Sequence, residues 1–237
     1  MSASGVYFVS DVHIGAPSDP QGLAERRFVE FLQALPEDAT DLYMLGDIFD
    51  FWVEYRDVVP RGAVRTFGAL AALSDRGVRL HFVCGNHDWW VTDYLVGELG
   101  AEIIREPYSI REIDGRRLCI AHGDGLGPRS LGERFIFRLF RSKLCIALMK
   151  SLHPYFVFSF ARRWSARSRR KHGGYVFRDG EDPLYKFALD LCAREKVDVF
   201  VFGHLHTRVS TQLPCGARLY VLGDWSDKAG YLNLSGM

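Results

Sequence analysis

Five short segments of this 237-residue chain place side chains with metal-ligand chemistry beside runs of apolar residues. They are Asp11 and His13 in SDVH, Asp47 and Asp50 in GDIFD, Asn86, His87 and Asp88 in GNHD, His122 and Asp124 in AHGD, and His204 and His206 in GHLH. Residues two apart in an extended segment point the same way, so Asp11 and His13 can bind one ion together. His204 and His206 can do likewise, or can serve two neighbouring ions. Asp47 is the natural bridge, because one carboxylate can give an oxygen to each of two cations about 3.5–4 Å apart. Mixed oxygen and nitrogen donors without thiolate suit Mn²⁺, Fe or Zn²⁺ better than a soft-metal or calcium site. Taken singly, each segment also reads as turn chemistry: a DxH can cap a turn, and GNHD fits a tight turn with positive φ at Gly or Asn. The metal reading rests on five such segments occurring in one chain.

These segments need elements to bring them together. Apolar runs rich in Val, Phe, Tyr and Leu predict strands over 6–10, 41–45, 79–83, 118–121 and 199–202, each ending in one of the five polar clusters. In an open α/β sheet the carboxyl ends of strands are where ligands bind, so the clusters are expected along one edge. Helical spacing over 21–35 and 63–76, with Phe28, Phe31, Leu32 and Leu35 on one face, predicts helices between the first strands. The strand–helix alternation predicts a layered α/β fold. Asp114-Gly115 between 108–113 and 116–121 is a strong hairpin signal, and a second hairpin is expected near 214–216. Hairpins beside parallel strands favour a mixed sheet or a two-sheet β-sandwich with outer helices.

The composition, 48% hydrophobic and 25% charged, is that of a folded domain rather than a disordered chain. A net charge of +1 hides a strong asymmetry. Residues 129–171 carry twelve Lys or Arg against one acid, Glu133, leaving 18 basic and 28 acidic residues elsewhere. We read a single domain over 1–237 with 125–174 as a basic, apolar helical insertion. Five scattered cysteines with no CxxC pair predict reduced thiols in a cytosolic protein. The N-terminus lacks signal-peptide features, and no charge-free apolar stretch approaches the ~20 residues that cross a bilayer.

In order, SDVH, GDIFD, GNHD, AHGD and GHLH resemble the five blocks of the calcineurin-like metallophosphoesterases. The resemblance covers residues 11 to 206. It implies that family's four-layer mixed β-sandwich flanked by helices, and a centre of two divalent metal ions, read here as Mn²⁺ with Fe or Zn²⁺ as alternatives. It implies Asp11, His13, Asp47 and His206 on one ion and Asp47, Asn86, His122 and His204 on the other. The cations would bind phosphoryl oxygens and activate a water for in-line attack on phosphorus. His87 would sit beside the phosphate to stabilise charge or protonate the leaving oxygen, with Asp88 placed either to orient it or to hold a structural turn. Asp50 and Asp124 are read as supporting or capping groups.

Within the basic insertion, Ile136, Phe140, Leu144, Ala147 and Leu148 fall at helical spacing from Arg134 onward, beside a stripe of Arg134, Arg138 and Arg141. A second helix is expected from Pro154, with Phe156, Phe160 and Trp164 at intervals of four and a basic end from Arg162 to Lys171. Together they predict a helical hairpin over the site. Its aromatics could be ordinary core and its arginines a solvated face. Large apolar side chains interleaved with unbalanced positive charge are, however, the signature of interfacial binding. GDIFDFW, VVPRG, AHGDG and the inserted hairpin resemble the UDP-2,3-diacylglucosamine hydrolases of lipid A biosynthesis, many of which carry arginine where this chain has His87. Arginine clamps phosphate as a fixed charge, whereas histidine can also transfer a proton.

That resemblance implies hydrolysis of the diphosphate of UDP-2,3-diacylglucosamine to UMP and 2,3-diacylglucosamine 1-phosphate. It implies a nucleotide-linked glycolipid substrate and an anionic membrane surface as partners, at the cytoplasmic side of the inner membrane. Arg134, Arg138, Arg141, Phe140, Arg162 and Trp164 are the expected substrate contacts. The alternatives are a broad-specificity phosphodiesterase or nuclease of the same fold and a lipid-binding scaffold with a vestigial site. The density of Phe, Leu and Ile among the arginines speaks against nucleic acid, and no protein partner is implied.

Overall fold

In the computed structural model, residues 5–55, 57–127, 131–172, 175–226 and 229–236 are described, with backbone only for 133, 166–172 and 236. Strands β1 (Gly5–Val9), β2 (Ala39–Met44), β3 (Arg79–Val83) and β4 (Glu102–Ile104) run parallel, and β10 (Tyr231–Asn233) adds antiparallel to the free edge of β1. Three crossovers are helical: α1 (Leu23–Gln33), α2 (Val64–Asp75) and α3 (Tyr94–Leu99). The second sheet has the order β5 (Ser109–Ile113), β6 (Arg116–Ala121), β7 (Val199–Phe202), β9 (Arg218–Val221), β8 (Val209–Gln212). Its two outer pairs are antiparallel and its inner pairs parallel. The β5–β6 turn uses Asp114 and Gly115 at φ 50° and 71°, the two positive angles a two-residue hairpin needs.

Alternation along the strands sorts the core into layers. Val6 and Phe8 of β1 face Leu118, Ile120, Val199 and Val201 of the other sheet, while Tyr7 and Val9 turn toward Phe28 and Leu32 of α1. On the far side, Phe200 and Phe202 pack with Leu184, Ala188 and Leu191 of α7 (Pro183–Cys192). The result is helix, sheet, sheet, helix: the four-layer mixed sandwich expected from the sequence.

Between β6 and β7 lie α4 (Leu131–Phe140), α5 (Lys143–Ser151) and α6 (Pro154–His172). The single helix expected to continue from Arg134 through Leu148 is broken, because Ser142 turns extended and its Oγ accepts the Cys145 N–H to cap α5. Three helices therefore stand where a hairpin was expected. Arg129, and the side chains of Arg167, Arg169, Arg170 and Lys171, lie outside the described residues. Phe140, Cys145, Ile146, Met149, Val157 and Phe158 form a small core with Phe51, Val53 and Trp90. The insertion is thus fastened to the main domain by a small shared core. Its other large apolar residues, among them Leu131, Phe135, Leu144, Leu148, Phe156 and Trp164, remain exposed.

Candidate metal centre

The segment after β1 and the segment after β2 run side by side: the N–H groups of Asp11, His13 and Ile14 donate to the carbonyls of Gly46, Asp47 and Ile48 at 2.9–3.1 Å. Asp50 N–H returns a bond to Ile14 O at 3.0 Å. This pairing carries Asp11, His13 and Asp47 to one sheet edge. There, Asp11, His13 and His206 form one group of potential donors, and Asp47, His122 and His204 form another, with Asp47 and His87 also beside His13.

Five of these residues have left-handed backbones: Asp11 (φ 53°), His13 (51°), Asp47 (53°), His204 (71°) and His206 (53°). Such conformations are uncommon for non-glycine residues, and backbone strain of this kind clusters at working sites. The crowding is equally specific. A Cβ on Gly85 would lie 2.2 Å from Asp47 Oδ1, and one on Gly203 would lie 2.6 Å from Asp11 Oδ2. Only glycine lets the following loops approach the two carboxylates.

Hydrogen bonds orient the imidazoles. His122 Nδ1 faces the Leu45 carbonyl at 2.8 Å and so must donate, leaving Nε2 turned toward Asn86 Oδ1 (3.2 Å) and Asp47 Oδ2 (3.3 Å). His87 Nδ1 likewise donates to the Asp50 carbonyl at 2.6 Å, and its Nε2 lies 4.0 Å from Asp47 Oδ2. Of the two roles expected for Asp88, orienting His87 or a structural turn, its contacts match the second. Its carboxylate accepts N–H bonds from Gly85 and Ile48, both at 2.8 Å, and so fastens the third loop to the second. Burial and the neighbouring Asp47 carboxylate push Asp88 up to about 7.

Asp224 and Ser165 were not anticipated. Asp224 Oδ2 lies 3.4 Å from His206 Nδ1, and Ser165 Oγ donates to Asp50 Oδ1 at 2.8 Å. For Asp224 a signal existed: Gly223-Asp224 follows an apolar strand just as Gly46-Asp47 does.

Electrostatics and geometry both fit divalent cations. Burial alone would raise Asp47, but the His122 and His87 imidazoles hold it well below the carboxylate range. Burial opposes charge on His122 too, yet Asp47 raises it well above the usual value. Burial and the charge on His122 depress His204 to about 3, leaving a neutral imidazole suited to ligation. Asp11 Oδ1 is buried without a hydrogen-bond partner among the described residues, 3.9 Å from both His13 Nε2 and His206 Nε2. Ligand bonds of about 2.0–2.2 Å would span those gaps.

Beside the cluster is a cavity of about 560 Å³ whose wall includes Asn86, His87 and His204 on one side and Phe140, Arg141 and Trp164 of the insertion on the other. Arg134, Arg138 and Arg162 are exposed and do not line it. Arg141 bonds Asp124 Oδ2 at 2.7 Å, with its guanidinium 3.6 Å from the Trp89 ring centroid and 3.5 Å from that of Phe137.

Two mixed sheets bring His and Asp donors that could hold metal to one edge, and residues 5–208 match the calcineurin-like phosphoesterases. The chain belongs to that family and is a metal-dependent hydrolase. More specifically, it is 38% identical over 240 residues to a UDP-2,3-diacylglucosamine hydrolase of Porphyromonas gingivalis, covering 94% of this chain and 90% of that one. The hydrolases of the same name from Stutzerimonas stutzeri and Stenotrophomonas maltophilia are each 28% identical, over 95% and 96% of this chain and 92% and 93% of theirs.

Proposed function

We propose that this chain hydrolyses the diphosphate of UDP-2,3-diacylglucosamine, releasing UMP and 2,3-diacylglucosamine 1-phosphate. The observation that carries this reading is the cavity, which joins the donor cluster to an apolar wall built by the insertion. The relatives named above supply the substrate. Asp11, His13, Asp47 and His206 would hold one divalent ion, and Asp47, Asn86, His122 and His204 the other. Bound there, two cations supply charge for the phosphoryl oxygens and a water activated near neutral pH. Mn²⁺ suits this donor set, with Fe or Zn²⁺ as alternatives.

The remaining chemistry belongs to the chain. His87, held by the Asp50 carbonyl, presents Nε2 to the cluster and can donate a proton to the leaving oxygen. Phe140 and Trp164 would contact acyl chains. Arg141 would fix the wall that carries them. Arg134, Arg138 and Arg162, outside the cavity, would meet anionic headgroups while the exposed apolar residues around them enter the interface. Residues 125–174 would act as substrate cap and membrane contact, at the cytoplasmic face of the inner membrane. No helix among the described residues is long and apolar enough to cross a membrane.

The test is release of UMP by Mn²⁺-loaded protein from UDP-2,3-diacylglucosamine, set beside UDP-sugars lacking acyl chains. Cleavage of generic diesters with no UMP from the lipid would overturn the substrate assignment in favour of a broad phosphodiesterase.

A further inference from the structure

Among the described side chains of helix α6, Val157, Ala161 and Ser165, spaced four apart, are buried, with Phe158 packed beside them on Phe51, while Arg162, Arg163 and Trp164 are exposed. Two of the three are the small apolar residues such a contact calls for. The third is a serine that is 2% exposed, and packing alone gives no reason for a hydroxyl there, since burying one costs free energy unless it is bonded. A helical serine can satisfy its hydroxyl on its own preceding turn. This one reaches across 115 residues to donate to Asp50 Oδ1.

Asp50 is itself 3% exposed and lies behind His13 and His87, on their Nδ1 side. Its carbonyl accepts the His87 Nδ1–H bond, and its Oδ1, the oxygen held by Ser165, lies 3.8 Å from His13 Nδ1 and 3.9 Å from His87 Nδ1. Its N–H is tied to Ile14, next to His13. One carboxylate therefore lies within ion-pair distance of the rear nitrogens of a proposed metal ligand and of the proposed proton donor, and one of its oxygens is held from the insertion. Carboxylates behind ligating imidazoles fix ring orientation and basicity, and losing one costs roughly 10–100-fold in metal affinity or activity.

We propose that Ser165 and Asp50 form a positioning pair through which α6 sets the orientation of His13 and His87, so that docking of the insertion and assembly of the catalytic centre are one event. This rests on phosphoester hydrolysis at the cluster and not on the identity of the lipid.

The experiment compares Ser165→Ala with Val157→Ala, a change in the same buried row, away from the cavity wall, that removes no hydroxyl. Mn²⁺ binding to apoprotein is titrated, and kcat and KM are measured on bis(p-nitrophenyl) phosphate and on the lipid. Ser165→Ala should weaken Mn²⁺ binding and lower kcat on the diester about tenfold, with KM nearly unchanged. Val157→Ala should leave both close to wild type. Unchanged Mn²⁺ binding and diester kcat in Ser165→Ala, an effect confined to KM for the lipid, or equal losses in the two variants would each overturn the proposal. If Ser165→Ala does not fold, Ser165→Cys, similar in volume and a weaker donor, gives the same comparison. Failure of the lipid to react leaves the diester and Mn²⁺ measurements readable, so the two readings fail separately.

Discussion

His87 stands between binding and turnover: its Nδ1 is committed to a backbone carbonyl, while its Nε2 faces Asp47 in a third donor group with His13, apart from Asp47–His122–His204. His87→Ala should therefore lower kcat by about 10²–10⁴-fold while metal content, read by elemental analysis, falls by less than half. A parallel loss of metal would make His87 a ligand instead. Asp41 offers a test away from the site. It is buried and bonded by Arg79 at 2.7 and 2.8 Å and by His81 at 2.8 Å. Burial acts to raise its pKa, but these partners outweigh burial and hold it below the usual carboxylate range. A depressed folded-state value contributes stability above the unfolded pKa, about 4, and loses it as pH falls through the folded value. Asp41→Asn should cost about 1–3 kcal/mol at pH 7, and the gap to wild type should narrow below about pH 4 in urea melts.

Among the elements, those that repeat a clear period were legible and the rest were not. β3 and β7 begin and end where alternation and apolar runs place them, and α1 and α2 differ from expectation by one or two residues at each end. α7 went unread although Asp182-Pro183 is a helix-start signal, with Asp182 Oδ1 accepting the Leu184 N–H. The break before α5 was invisible because Ser142 sits inside an apolar period that runs on through it. Ligand types showed in the motifs, but the left-handed backbones did not, since Asp and His tolerate that region without announcing it. Ser165 gave no signal, because its partner is distant in sequence. The stacked Arg141 ties the end of α4 to the loop after β6. Arg141→Gln should free α4 and α5 to open more often, with amide hydrogen exchange there faster by about tenfold, or ~1.4 kcal/mol. Unchanged protection would show that the small apolar core alone holds these helices.

For the molecule as a whole, the near-zero net charge separates into a basic insertion and an acidic remainder, and the insertion's outer face pairs exposed aromatics with arginines. Each arginine near an anionic surface contributes about 1 kcal/mol. Reversing Arg162 and Arg163 to glutamate should weaken binding to vesicles containing phosphatidylglycerol at least about tenfold, while cleavage of a small soluble diester stays as in wild type. Equal vesicle binding would remove this patch from the contact surface.

The five left-handed backbones around buried carboxylates also tie the fold to metal supply. A cation that binds only the folded chain adds about 2.7 kcal/mol at a hundred times its dissociation constant, so a chelator should lower the melting temperature by several degrees. In a metal-starved cell the same difference enlarges the unfolded fraction exposed to proteases. Its abundance, as well as its rate, would then follow the metal.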